Sequence, residues 1–389
     1  MKRLTLLLAG AALSLGMTLP ASDPLTVSEG DEHGHDSSAS APEGPHDRPP
    51  LDVVLDIHTD AWLRAPSEDW FEAQAELDPD RFSYVDDLLD IDGDTEGGYQ
   101  DKLGEYELRY DAEEDEIAYW QYVSADQLTQ GRRDYVQFCS SCHGFDGDGY
   151  GRSGQHLRPP PRNFTKPFFK FTKVPGHLLP SDESLILLVE RGLNGTPMLP
   201  WALSRDQLND IIQYLKSLSP EGVGWRDVYS EVGHIVESDG DPWTGREAEA
   251  IQAGQDVYHG TAKCYSCHPG YVTPEKLAEI NGLPAGSMPR ENFTYPIAKI
   301  TENYEVQGVP MLLLPPDFTW QDVRAGTTPL ELFETIGAGI GGTAMPQWKG
   351  SLSDKDIWAM AYYVRSLIET YKGHPEKRAE FMSSLRTGR

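Results

Sequence analysis

Two kinds of hydrophobic spacing run along this chain. Residues 105–110 and 117–122 alternate apolar with polar positions, which predicts a β-hairpin turning around Asp111 to Glu116. From about residue 124 the pattern is helical, and it occurs twice. Each occurrence opens with a helix carrying Gly-x-x-x-Tyr, Gly131 with Tyr135 and Gly254 with Tyr258. The four-residue step puts both residues on one helical face. Each then passes through a proline-rich loop, Leu157 to Phe164 and Leu313 to Phe318. A second helix follows behind a start signal, Ser181 in one case and Thr328 with Pro329 in the other. These helices run into Gly192-Leu-Asn-Gly-Thr-Pro-Met198 and Gly339-Ile-Gly-Gly-Thr-Ala-Met345, which agree at Gly, Gly, Thr and Met. Trp201 and Trp348 each stand three residues beyond the methionine. An amphipathic helix closes each half, Ser204 to Leu218 aligning without a gap on Ser353 to Leu367.

The remaining segments divide the chain. Lys2 and Arg3 precede a Leu-rich run from Leu4 to about Leu19 and then Pro20-Ala21-Ser22-Asp23, the pattern of a secretory signal over residues 1–21. No cysteine stands at that point to carry a lipid anchor. Residues 22–50 hold almost no large apolar side chain and read as a disordered leader, with His33, His35 and His46 solvated. Residues 51–123 form an acidic, partly extended extension with 23 Asp and Glu against four Lys and Arg. Its aromatic residues, from Trp62 and Trp70 to Tyr122, predict that it packs against something. The run Asp90 to Glu96 has Thr95 where a calcium loop needs glycine, and Asp101 where it needs glutamate, so it reads as an acidic turn. The repeats then occupy 124–220 and 246–372, joined by a Gly- and acid-rich linker at 221–245 and followed by a tail at 373–389. The second repeat is longer, chiefly between Gly270 and Met311. No interior stretch has the roughly 20 apolar residues that span a bilayer.

A formal charge of −29 disfavours nucleic-acid binding, which needs clustered Lys and Arg. It suits solubility, a salty habitat, or the steering of a basic protein partner. Chemistry enters with the four cysteines, all of which lie in Cys139-Ser-Ser-Cys142-His143 and Cys264-Tyr-Ser-Cys267-His268. A two-disulfide framework leaves the histidine after each pair unexplained. A four-cysteine zinc site has a spacer of about 15–20 residues between its pairs, whereas here the spacer exceeds a hundred. Thioredoxin-like chemistry needs a βαβ setting that the pattern lacks. Attachment of two haem c groups remains: the cysteines form thioethers, and His143 and His268 ligate the irons.

The opposite face of each iron is either open for chemistry or closed by a sixth ligand. Met198 and Met345 occupy the same place in both repeats and are the expected ligands. Their rivals are His156 and His177 at the first iron, and Met288 and Met311 at the second. Met1 and Met17 fall in the signal, and Met360 and Met382 in or beyond the last helix.

Residues 124 to 372 resemble two class I cytochrome c domains in tandem. The resemblance implies a mainly α fold in which first and last helices cross near the haem, at Gly131, Tyr135 and Tyr214 and again at Gly254, Tyr258 and Tyr363. It implies that a proline carbonyl takes the proton of the proximal histidine: Pro159, Pro160 or Pro161 for His143, and Pro315 or Pro316 for His268. Arg158 and Arg162 are its candidates for the haem propionates. The acidic extension has no counterpart in the family pattern, and the second-half insertion departs from it. The function expected is that of a periplasmic dihaem electron carrier, not an enzyme, passing single electrons between redox partner proteins of a respiratory chain. It would act alone or as a subunit of a larger complex, with no small-molecule substrate. The alternative is a dihaem peroxidase, which also carries two such motifs but needs a displaceable ligand on one iron.

Overall fold

The computed structural model describes residues 56–284, 287, 292–306 and 309–387. The expected signal and leader, and Met288, lie outside them. The acidic extension is built from β1 (Ala61–Arg64), α1 (Glu68–Leu77), β2 (Phe82–Ile91), β3 (Asp94–Asp101), β4 (Tyr106–Asp111) and β5 (Glu116–Val123). Antiparallel β4 and β5 form the hairpin that the alternation predicts, pairing Asp111 with Glu116 and Tyr106 with Gln121, and β1 adds to the other side of β5. The acidic run at Asp90 is the turn of the β2–β3 hairpin. Asp92 and Gly93 both take positive φ, 54° and 92°, and the Gly93 N–H donates to Asp90 Oδ1 at 3.0 Å. An Asp-Gly pair suits such a turn because glycine adopts left-handed backbone without a Cβ clash.

The aromatic residues of the extension have partners. Phe71 is fully buried and stacks on Tyr119 at 4.1 Å, ringed by Trp70, Phe82 and Tyr106. Leu63 and Val123 enter the same core as Leu128, Tyr135 and Leu208 of the first repeat, which welds the extension to it.

The rest is mainly helical. The first repeat has α2 (Ala125–Phe138), the short β6 (Leu179–Pro180), α3 (Asp182–Arg191) and α4 (Arg205–Ser217). After β7 (Val232–Gly233), the second has α5 (Glu247–His259), α6 (Pro274–Ile280), a hairpin of β8 (Lys299–Val306) and β9 (Val309–Leu313), α7 (Pro329–Ala338), α8 (Asp354–Tyr371) and α9 (Pro375–Thr387). The start signals act as caps: the side chains of Ser124, Ser181, Ser204, Thr328 and Ser353 each accept a backbone N–H in the first turn of their helix.

Two segments are more structured than their composition implies. Residues 221–245 join the repeats as a strap held by a few buried anchors: Trp225 is fully buried in the first core, β7 pairs in parallel with β6, and Val236 and Trp243 enter the second core. A few large apolar residues, spaced along a Gly- and acid-rich stretch, suffice to anchor it. The segment after residue 372 forms α9, whose Met382 and Leu385 are buried in the second core. The halves also touch directly, through Gly176 N–H to Ala338 O (3.2 Å), Asn194 N–H to Arg324 O (3.1 Å) and a Lys173–Glu334 ion pair at 2.5 Å. The described residues all belong to one compact unit, Pro50–Arg389. Among them no helix is long and apolar enough to cross a membrane.

Candidate haem sites

Each site begins at a helix crossing that only glycine permits. A Cβ on Gly131 would lie 2.0 Å from Asp210 O in α4, and one on Gly254 would lie 2.0 Å from Ala359 O in α8. With no side chain in between, the backbones of α2 and α4, and of α5 and α8, approach closely enough for the tyrosines to pack. Tyr135 meets Tyr214 with ring centroids 5.3 Å apart, and Tyr258 meets Tyr363 at 5.6 Å. The buried hydroxyls of the first pair members then tie down the turn after each histidine: Tyr135 donates to Gly144 O at 2.7 Å and Tyr258 to Pro269 O at 2.9 Å.

The cysteine–histidine motifs follow on the ends of α2 and α5. Cys139 closes α2, and the His143 N–H donates to Cys139 O at 3.0 Å; the His268 N–H donates to Cys264 O at 2.9 Å. The backbone thus folds back so that both thiols and the imidazole of each motif belong to one turn. None of the four cysteines is in a disulfide. Burial pushes the Cys139 and Cys264 thiols up to about 12, which keeps them protonated at neutral pH.

Each imidazole is oriented from behind. His143 Nδ1 lies 3.0 Å from Arg162 O, and His268 Nδ1 lies 3.2 Å from Pro316 O. A carbonyl only accepts, so Nδ1 carries the proton and Nε2 keeps a lone pair for a metal. Burial lowers both histidines, His268 to about 4 against a smaller opposing effect of the Pro316 carbonyl, so both rings are neutral at pH 7. Phe164 stacks on His143 at 4.5 Å, and Phe318 stacks on His268 at 5.0 Å. At the first site the accepting carbonyl belongs to Arg162, one residue past the three prolines in which it was sought; at the second it is Pro316. The acceptor stands two residues before the stacking phenylalanine in both halves, and that offset was the usable signal.

The two methionine loops share their internal hydrogen bonds from Gly to Met. Gly192 and Gly339 end their helices with φ of 64° and 73°. Leu193 N–H donates to Met198 O at 2.8 Å, and Ile340 N–H to Met345 O at 3.2 Å. The Met198 and Met345 N–H groups each donate to the threonine hydroxyl two residues earlier, both at 3.1 Å. Trp201 packs on Phe138, just before Cys139, at 5.7 Å, so the first loop and first motif are in contact. Met345 and Trp348 pack against the same core as Cys264.

Of the rivals, Met288 lies outside the described residues. His156 is exposed, and exposed His177 lines an open cavity of about 570 Å³ with Phe168, Val223 and Tyr229. Met311 lies on β9 opposite Thr301, while Met360 is buried in α8 with its sulfur 4.0 Å from Cys264 Sγ. The exposed Arg158 donates to the Leu157 carbonyl at 2.7 Å. One histidine was missed by sequence reasoning. His259 is fully buried; its Nδ1 donates to Gln255 O at 2.8 Å and its Nε2 accepts the Tyr271 N–H at 3.0 Å. Both nitrogens are therefore committed within the protein.

This donor set suits haem c. Each site offers two thiols outside any disulfide and a neutral imidazole whose Nδ1 is turned to a backbone carbonyl. In the first half, Arg162 Nε and Trp225 Nε1 are buried without a hydrogen-bond partner, as donors awaiting a carboxylate would be. Among the described residues no three His, Cys, Asp or Glu side chains cluster to hold a bare metal ion.

Helices crossing on glycine, with a Cys-x-x-Cys-His turn beneath, define a cytochrome c fold in tandem. The family described as cytochrome c oxidase, cbb3-type, subunit III, matches residues 126–215 and again 249–364, together more than half of the chain, and the chain belongs to that family of cytochrome c domains. Membership brings covalently bound haem c and haem-based electron transfer. A solved chain of the Kuenenia stuttgartiensis reducing HAO-like protein complex Kustc0457/Kustc0458 is similar, 27% identical over 61% of this chain and 96% of that one, with a TM-score of 0.47. No curated protein matches at a significant level.

Proposed function

We propose that this protein is a periplasmic dihaem electron carrier. One haem is held by Cys139, Cys142 and His143 with Met198 as its sixth ligand, the other by Cys264, Cys267 and His268 with Met345. The observation that carries the reading is repetition: the oriented histidine, the stacked phenylalanine and the threonine-braced methionine loop recur in both halves with matching hydrogen bonds. A peroxidase needs one half built differently on its distal side.

Bound haem supplies a reversible one-electron couple. The chain's own residues do the rest. The cysteines hold the group covalently, so it is not lost to a large extracytoplasmic volume. The Arg162 and Pro316 carbonyls polarise the histidines and raise their basicity. The methionine thioethers favour ferrous iron and so raise the potential, and the stacked phenylalanines exclude water from the proximal side. The signal pattern before Ser22 supports export. The acidic surface suits a basic donor or acceptor protein, with encounter weakening as salt rises.

The test is optical. Two haems per chain by haemochrome assay, with a red-end methionine-to-iron band of an intensity for two, are expected. Met198→His and Met345→His should each remove half of that band. A high-spin signal from one haem, or a single haem per chain, would overturn the proposal.

A further inference from the structure

The seam between the halves gathers positive charge. Arg162 and Lys170 lie over the ring of Tyr304, at 4.6 and 3.8 Å from its centroid. Arg324, from the second half, is close enough to join Arg162 in holding Lys170 below its ordinary value, at about 8; burial is the larger cause. Burial likewise lowers Arg324. Among the described residues none of the three forms an ion pair with a carboxylate. Arg162 donates from a terminal nitrogen to Lys166 O at 2.7 Å, but its Nε is buried and unpartnered.

This is costly in the absence of an anion. Desolvating a cation without a partner is unfavourable, and gathering three adds their repulsion. It is also out of character for a chain with a formal charge of −29 and carboxylates to spare. The surroundings indicate which anion belongs there. The Arg162 carbonyl receives the His143 Nδ1 proton, so this residue is held on the proximal side of the first site. The Arg324 carbonyl receives the N–H of Asn194 at 3.1 Å, inside the Gly192–Met198 loop. The backbones of Arg162 and Arg324 are thus tied to the two loops of the first site, and Arg324 comes from the second half.

We propose that Arg162, Lys170 and Arg324 bind the propionate carboxylates of the haem held at His143, so that the second half completes the haem site of the first. The proposal rests on the dihaem reading above. Tyr304 is a positioning residue. Its ring carries two of the cations, and its hydroxyl donates to Gly341 O at 2.8 Å, in the loop that leads to Met345. The β8–β9 insertion, which supplies Tyr304, thereby connects the two haem sites. A free inorganic anion would satisfy the same charges, and the test separates it from a propionate.

The experiment is a spectroelectrochemical titration of the full-length, haem-loaded Arg324→Gln protein. The two transitions are assigned from the Met198→His and Met345→His shifts. Removing a positive charge beside the haem favours ferric iron, so the first midpoint should fall by about tenfold in reduction equilibrium, about 59 mV for one electron. The second midpoint should stay put. Lys170→Gln should lower the same transition, Arg324→Lys should restore most of the loss, and inorganic phosphate should leave the wild-type midpoints unmoved. Should Arg324→Gln fail to load haem, Lys170→Gln carries the same expectation. An unchanged first midpoint in a variant with two haems and normal unfolding would overturn the proposal, as would a wild-type midpoint that follows phosphate concentration. Failure of the dihaem reading would appear separately, as a haem count of one or a missing methionine band.

Discussion

The two halves hold their cysteine–histidine turns alike and support them differently. Both put a glycine 2.0 Å from a backbone carbonyl across the crossing, measured from an ideal Cβ, and both aim Nδ1 at a carbonyl 3.0 to 3.2 Å away. Behind the first histidine the support is largely apolar and comes from outside the repeat. Trp225 of the connecting strap packs on Phe169, and Leu63 and Val123 of the extension fill the core. Lys216 of α4, almost fully buried, reaches Gln121 of β5 and Asp182, each at 2.9 Å. Behind the second histidine a buried polar network does that work. Asp317, next to Pro316, accepts from Thr319, from Arg378 of α9 at 2.7 Å and from Tyr271, whose N–H is received by His259. Contacts around the cysteine–histidine turns are thus duplicated, while the scaffolding around them has diverged.

That comparison can be broken at its shared point first. Gly131→Val and Gly254→Val should each cost about 3 kcal/mol or more, because backbone carbonyls cannot retreat from the new side chain. Denaturant unfolding should report losses of similar size in both; a tolerated valine in either half would show that the crossings are not equivalent.

The next test concerns His259, which has no counterpart after Tyr135, where Val136 stands. Burial lowers His259 from the ordinary value of 6.5 to about 4. Its folded pKa lies below its unfolded one, so the neutral ring's contribution is complete above pH 6.5 and is lost as pH falls towards 4. Between pH 7 and pH 4.5 the stability difference is about 2.5 kcal/mol. Unfolding measured at both values should show a smaller difference in His259→Gln, and an unaltered pH dependence would refute this role.

The smallest effect sharpens the contrast in scaffolding. Arg378→Ala leaves the buried Asp317 carboxylate without its cation and should destabilise the second half by about 2 kcal/mol. Asp317 resists protonation now because Thr319 and Arg378 outweigh the upward push of its burial. The variant should therefore also unfold at a higher pH during acid titration. A loss that appeared instead in the first haem's optical transition would contradict the division of support.

What was legible in advance was local or repeated. The Cys-x-x-Cys-His turns, the Gly-x-x-x-Tyr helices, the capped helix starts and the β4–β5 hairpin each depend on residues within a few positions of one another. The duplication then doubled every weak signal, which is how the Met198 and Met345 loops could be aligned at all. The strap at 221–245 was read as a linker because Gly and acidic residues are frequent in it, although Trp225, Val232 and Trp243 anchor it. The Arg162 carbonyl was missed because it lies one residue past the prolines, where only the two-residue offset to Phe164 marks it.

By itself, then, the sequence determined the covalent chemistry, two thiols and a histidine per repeat, and the helical frame that presents them. Those features follow from spacing along one chain, where a turn or a helical face brings neighbours together unaided. Only the tertiary structure decided which carbonyl orients each imidazole, that the extension enters the first core and the strap both cores, and that Tyr304 of one repeat stands beside Arg162 of the other. Such contacts join residues from 19 to more than a hundred positions apart, and the packing of whole elements, rather than any local preference, sets their distance.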